Sequence, residues 1–268
     1  MAINRRTALA GAGALGITAL LAACSSSNSS SAANKLEEIK KAGKIRIGME
    51  GTYRPFGFHQ ADGTLAGFEK ELGDLIAKDL GVTAEYIETP WDSLIAGVDS
   101  NRYDIVINNV SPSEERKKKY DFSVPYLYSE PKVAVLKTSP LQNVSEISGK
   151  TSAQSETSNF RKIMEDKGAQ IVTITGFDEA VEMVNSGRAD MTANDSVTFA
   201  EYQKEHSDSK LRLLEGSLGA GTNAAVLMPK SQQALVDAVN ESIKKHLDNG
   251  DLKAIYIKYV NEDLSPKA

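Results

Sequence analysis

From residue 35 onward, hydrophobic and polar positions follow two alternating rhythms. Short apolar runs at 45–49, 84–88 and 103–108 read as strands. Between the first two, a turn at Ala61-Asp62-Gly63 marks a hairpin. The stretch 69–80 then repeats Leu72, Leu75, Ile76 and Leu80 at helical spacing and stops at Gly81. A second cycle follows Lys132, with strands expected over 132–137, 151–154, 171–175 and 189–193 and helices near 160–167 and 178–185. One more strand, 224–228, precedes helices over 233–247 and 252–260, split at Asn249-Gly250. Such alternation predicts α/β architecture with mostly parallel sheets.

The first 34 residues follow neither rhythm. Arg5 and Arg6 precede an uncharged stretch from Ala8 to Ala23, and the chain turns polar at Ser25. The stretch is short for a bilayer span, which needs about 20 apolar residues, and reads as a signal peptide over residues 1–23. It ends in Leu21-Ala22-Ala23-Cys24, which resembles a bacterial lipobox, so Cys24 is expected to carry lipid. The Arg5-Arg6 pair also admits twin-arginine export, although Ala8 and Ala10 stand where that motif prefers Phe and Lys. Residues 24–34 are Ser-, Asn- and Ala-rich and read as a tether with a span of roughly 15–20 Å.

Composition narrows the field. A chain of 268 residues with 41% hydrophobic content can build one large or two modest cores. Its net charge of -5 is spread over interspersed acids and bases, which argues against a nucleic-acid surface. The run Arg116 to Lys119 reads first as a solvated helix face. Cys24 is the only cysteine, so no disulfide forms within the chain. The histidines His59, His206 and His246 are scattered singly, and neither a metal nor another cofactor is expected.

Four segments carry a resemblance: Gly51-Thr52-Tyr53-Arg54-Pro55-Phe56, Gly67-Phe68-Glu69-Lys70-Glu71-Leu72, Trp91-Asp92-Ser93-Leu94, and 115–123 with Glu115-Arg116 and Tyr120-Asp121-Phe122-Ser123. In that order and spacing they resemble the polar amino-acid family (family 3) of ABC solute-binding proteins, over residues 35–262. Segments 152–159 and 188–195 are most similar to its cystine-binding branch. The resemblance implies a two-lobed, type II periplasmic-binding-protein fold, each lobe a mixed sheet flanked by helices. Residues 35–127 plus 224–268 would form one lobe and 128–223 the other, with hinges near 126–130 and 219–223. It also implies a monomeric, lipid-anchored extracytoplasmic receptor that hands a polar amino acid to permease subunits, and indirectly to their ATPase.

An α-amino acid needs a cation with amide donors beside an anion. Ser111-Pro112-Ser113-Glu114 has the form of a capping box that opens a helix, with Arg116 in its first turns. By the resemblance, Arg116 clamps the ligand carboxylate with backbone amides of Ser111 and Ser158 and the hydroxyl of Thr157. Asp195 pairs with the ammonium, and Asn109 supplies a second acceptor. The plainer alternatives are a surface pair of Arg116 with Asp121 or Glu115, and a helix N-cap for Asp195. Tyr53 and Trp91 match aromatic positions that flank the bound side chain, Trp91 on a loop before an N-cap at Asp92, whereas Phe56 suits packing beneath the site. Glu50 is expected to meet a distal ammonium or amide and Arg54 a distal carboxylate, as cystine would require. Glutamine or another polar amino acid, a sensor lipoprotein and, remotely, a dehydratase using Glu50 stay open as alternatives.

Overall fold

The computed structural model describes residues 34–266. The expected signal peptide, the expected lipid site Cys24 and the expected tether up to residue 33 lie outside the described residues. Within these bounds two five-stranded sheets form separate lobes. In the first, Lys44–Met49 lies parallel to Thr83–Glu88 on one side and to Ile105–Val106 on the other. Leu227–Pro229 then adds antiparallel, and Tyr120–Phe122 pairs with its outer side. Ile45, Ile47 and Met49 are all fully buried because helices cover the faces they point to. Helix Phe68–Leu80 contributes Leu72 and Ile76, and helices Gln233–Asp248 and Asp251–Val260 contribute Val239, Ile243 and Tyr256 to the same core.

The second lobe repeats the plan. Thr151–Ser155 lies parallel to Gln170–Ile174 and Met191–Asp195, and Pro131–Leu136 and Leu211–Leu213 complete the sheet antiparallel. Helices Asn159–Asp166, Phe177–Asn185 and Ser196–Glu205 flank it. The chain crosses between lobes twice, through Leu127–Ser129 and Thr222–Ala224, which pair antiparallel with Asn223 opposite Tyr128. The hinges expected near 126–130 and 219–223 overlap this two-stranded crossover, the second only at Thr222 and Asn223.

Several expected bounds shift for physical reasons. The apolar run 224–228 is two strands, Thr222–Ala224 and Leu227–Pro229, because the chain changes sheet within it and Ala225 donates its N–H to Val110 O. Only Ile105 and Val106 of the run 103–108 form a strand, although Asp104 and Ile107 still donate their N–H groups to Arg46 O and Gly48 O on either side of it. The helix starts two residues later than the Ser111-Pro112-Ser113-Glu114 spacing predicts, which puts Arg116 at the third helical position where a capping box needs Glu or Gln. Ser113 is the N-cap of a short helix, Glu114–Lys119, and accepts from Arg116 N at 3.2 Å. Asp92 is not an N-cap: Pro90 holds that place, and Asp92 lies in the first turn of Trp91–Leu94.

The Gly-Phe-Glu segment has a stereochemical basis. Gly67 sits at φ 121°, and a Cβ there would stand 2.1 Å from Phe56 O. Phe56 in turn stacks on Tyr53 with centroids 4.5 Å apart and meets Phe68 edge-on. Gly67→Ala is therefore expected to destabilise the protein by at least about 1–3 kcal/mol, read as a lower denaturant midpoint.

Candidate ligand-binding site

The ends of the parallel strands and the two crossover strands converge between the lobes. Five of the residues expected in the site, Glu50, Tyr53, Trp91, Asn109 and Ser158, line one cavity of ≈ 60 Å³ together with Asn108, Phe177 and Asn194. Ser111, Arg116, Thr157 and Asp195 do not line it, but Arg116, Thr157 and Asp195 are tied into its rim by bonds that cross between lobes. Tyr53 donates its hydroxyl to Asn194 Oδ1 at 2.8 Å and shares a hydrogen bond with Thr198 Oγ1 at 2.9 Å. Asn109 Nδ2 donates to Asp195 Oδ2 at 2.6 Å.

Arg116 is not on the solvated face that its basic run suggests, although Lys117, Lys118 and Lys119 are exposed. Its guanidinium donates to Ser111 O at 2.9 Å and, across the cleft, to Thr157 O at 2.8 Å, and it stands 5.5 Å from the centre of the Trp91 ring. The surface-pair alternative fails, because Asp121 pairs with Lys230 at 2.7 Å and Arg116 makes no ion pair among the described residues. Burial lowers its pKa to about 10, and the charge of Glu115 offsets this only in part.

Asp195 ends the strand Met191–Asp195 and is 2% exposed. By backbone position it precedes helix Ser196–Glu205, yet its side chain makes no capping bond. It accepts instead from Thr222 Oγ1 at 2.7 Å and from Asn109, and Ser129 adds a further hydrogen bond. Donors thus reach it from both crossover strands. Burial raises its pKa against these three neutral donors, and no cation pairs with it among the described residues.

The other expected residues take more local roles. The Thr157 hydroxyl donates to Asp92 Oδ1 at 3.0 Å, and the Thr157 N–H donates to the same atom at 3.2 Å, so a lobe-to-lobe latch occupies the group assigned to a carboxylate. The Ser158 N–H closes a turn on Ser155 O at 3.3 Å, and its side chain caps helix Asn159–Asp166. Trp91 opens a short helix rather than a loop, and its indole N–H is buried without a partner among the described residues. Phe56 is fully buried beneath Tyr53, the packing role expected of it.

Glu50 faces the cavity. Asn108 binds it twice, accepting from Glu50 N at 2.8 Å and donating to its carboxylate at 2.8 Å. Burial outweighs this bond and, with the charges of Asp92 and Asp178, lifts its pKa to about 7.

Glu69 carries a role that its spacing conceals. An acid in the first turn of an amphipathic helix reads as dipole compensation. Folding instead buries it completely, with Oε1 accepting from Asn109 N at 2.7 Å and from the Tyr126 hydroxyl at 2.5 Å. Asn109 has a left-handed backbone, φ 49°, and Tyr126 leads into the first crossover strand. Glu69 therefore fixes both the loop that reaches Asp195 and the hinge. Burial dominates the bonds from Tyr126 and Asn109 and pushes its pKa from the ordinary 4.5 to about 8.

Comparison with known proteins agrees with this geometry. The family model for bacterial extracellular solute-binding proteins, family 3, matches residues 45–262. The L-cystine-binding protein TcyA of Bacillus subtilis (strain 168) is 34% identical over 255 residues, covering 92% of this chain and 94% of its own. An ancestral arginine-binding protein bound to arginine superposes with TM-score 0.75 at 29% identity, covering 81% of this chain and 98% of that one. The L-cystine solute receptor of Neisseria gonorrhoeae, in its unliganded open conformation, gives 0.61 at 31% identity, covering 87% and 99%. The lower superposition on the open receptor, despite the higher identity, accords with lobes held together by the contacts described above.

Glu69 and Glu50 make stability depend on pH with a definite sign. Between 4.5 and about 8 the folded chain keeps a proton on Glu69 that the unfolded chain has released, so stability falls as pH rises through that window. Glu50 adds the same sign up to about 7. The melting temperature without ligand is expected to decline from pH 5 to pH 8, and Glu69→Gln, which stays neutral, is expected to flatten the slope.

Proposed function

The chain belongs to the bacterial extracellular solute-binding proteins, family 3, and from that premise we propose that it captures a polar amino acid, cystine first, for an ABC importer. The lobes 35–127 plus 224–268 and 128–223 close on the ligand about the paired crossover strands. Arg116 takes the α-carboxylate and Asp195 the α-ammonium, while Tyr53, Trp91 and Glu50 face the side chain. The observation that carries this reading is the pair of desolvated, opposite charges without counter-ions among the described residues. A lone buried ion is costly, and a zwitterion between the lobes would answer both at once.

Glu50 suits a ligand with a distal ammonium or amide better than one with only a distal carboxylate, because two carboxylates in a closed cleft repel. The likeness to TcyA supports cystine. Lipid on Cys24 and the tether would hold the receptor at the outer membrane face, where permease subunits accept the closed form. Capture and release, without a covalent step, make up the whole proposed role.

Charge-assisted hydrogen bonds contribute about 1.5–3 kcal/mol each, so removing either ion should be severe. Arg116→Ala and Asp195→Ala are each expected to weaken cystine binding at least a hundredfold, about 2.8 kcal/mol, in calorimetric titration. Both variants should keep cooperative unfolding. Retained affinity in a folded variant would refute the assignment.

A further inference from the structure

We propose that the cavity of ≈ 550 Å³ lying between segment 51–59 of the first lobe and helices Phe177–Asn185 and Ser196–Glu205 of the second is an outer chamber of the binding site, built for the distal head of a double-headed amino acid. The ligand class is two α-amino-acid heads joined by a short disulfide, thioether or hydrocarbon linker. The inference rests on the amino-acid reading above and adds a second site of charge recognition.

Continuity is the first observation. Tyr53 and Phe177 line both the inner cavity and the outer one, so the two meet at this aromatic pair. The inner cavity, at ≈ 60 Å³, is much the smaller of the two. The outer one lies within the roughly 300–1,000 Å³ of small-molecule sites. A long side chain leaving a head held by Arg116 and Asp195 has its room beyond Tyr53 and Phe177.

The second observation is the placement of charge. On the first-lobe wall, the Arg54 guanidinium lies 3.8 Å above the Phe58 ring. It makes a single hydrogen bond of 3.4 Å to His59 O and no ion pair among the described residues. Stacking occupies the face of the guanidinium and leaves its planar fork of donors for a carboxylate. On the opposite wall, Asp178 opens helix Phe177–Asn185 and makes no hydrogen bond or ion pair among the described residues. It lines the outer cavity directly after Phe177, which lines both.

The arrangement thus repeats, farther out, the division of labour of the inner site: a guanidinium from the first lobe and a carboxylate from the second. Phe58, Val181 and Tyr202 complete the lining with apolar surface that suits a linker, and a sulfur linker favours aromatic edges. Glu50 and Arg54 therefore line different chambers, and Asp178 is the acid of the outer one nearest in sequence to the shared Phe177, with Glu182, Glu201 and Glu205 also in its lining. A ligand reaching both walls adds contacts that exist only when the lobes are closed.

The test is calorimetric titration of the full chain, Arg54→Ala and Asp178→Asn with L-cystine and with single-headed S-methyl-L-cysteine. The unsubstituted protein is expected to prefer cystine at least tenfold. Each variant should lose at least tenfold for cystine and stay within twofold for S-methylcysteine. Unchanged cystine affinity in both variants, or equal losses for the two ligands, would overturn the outer chamber while leaving the inner site standing. Binding of neither ligand by the unsubstituted protein would overturn both readings.

Discussion

The architecture turns on one electrostatic constraint: a guanidinium and a carboxylate are taken out of water without being allowed to neutralise each other. Arg116 spends two donors on backbone carbonyls, one from each lobe. Asp195 is ringed by hydroxyl and amide donors but by no cation among the described residues. Burial pulls the two pKa values in opposite directions, down for the base and up for the acid, and both shifts disfavour the charged form. Proteins seldom tolerate such isolated charges unless something else supplies the counter-charge. An amino-acid zwitterion would supply both.

The fold makes that arrangement possible and also movable. Each lobe has its own core, and Val197 of the second lobe packs into that of the first. Asp195 receives Thr222 and Ser129 from the two crossover strands, and Glu69 holds Tyr126 beside the first of them. The charge that would sense the ligand is bonded to the segments that must flex. Closure is secured by short, separable contacts: Tyr53 on Asn194, Asp92 on Thr157, and Arg116 on Thr157 O. Each is polar and modest in net worth, as a reversible clamp requires.

Much of this was legible in the sequence. The helical spacing of Leu72 and Ile76, the glycine stops and the turn at Asp62-Gly63 report local rules, and those elements stand where they were expected. Arg116, Asp195 and Asn109 come from distant parts of the chain and were grouped only through the resemblance; the fold joins Asn109 to Asp195 directly. Features decided by tertiary packing were hidden. Ser111 and Ser113 are equally good caps, and only the three-dimensional path selects Ser113. Glu69 looks like any first-turn acid until the hinge closes over it. The stretch 224–228 reads as one strand because its apolar character does not record that the chain leaves one sheet for another. Asp92 resembles an N-cap, and its reach to Thr157 depends on how the lobes meet.

The most direct test of the central claim blocks the ligand's charges rather than the protein's. Calorimetric titration with L-cystine, N,N'-diacetyl-L-cystine and L-cystine dimethyl ester compares a free ligand with one lacking its ammonium groups and one lacking its carboxylates. If a buried guanidinium and a buried carboxylate each wait for an opposite charge, cystine binds and both derivatives lose at least a hundredfold in affinity. Should either derivative bind as tightly as cystine, the charge it lacks has no partner in the protein, and the account fails.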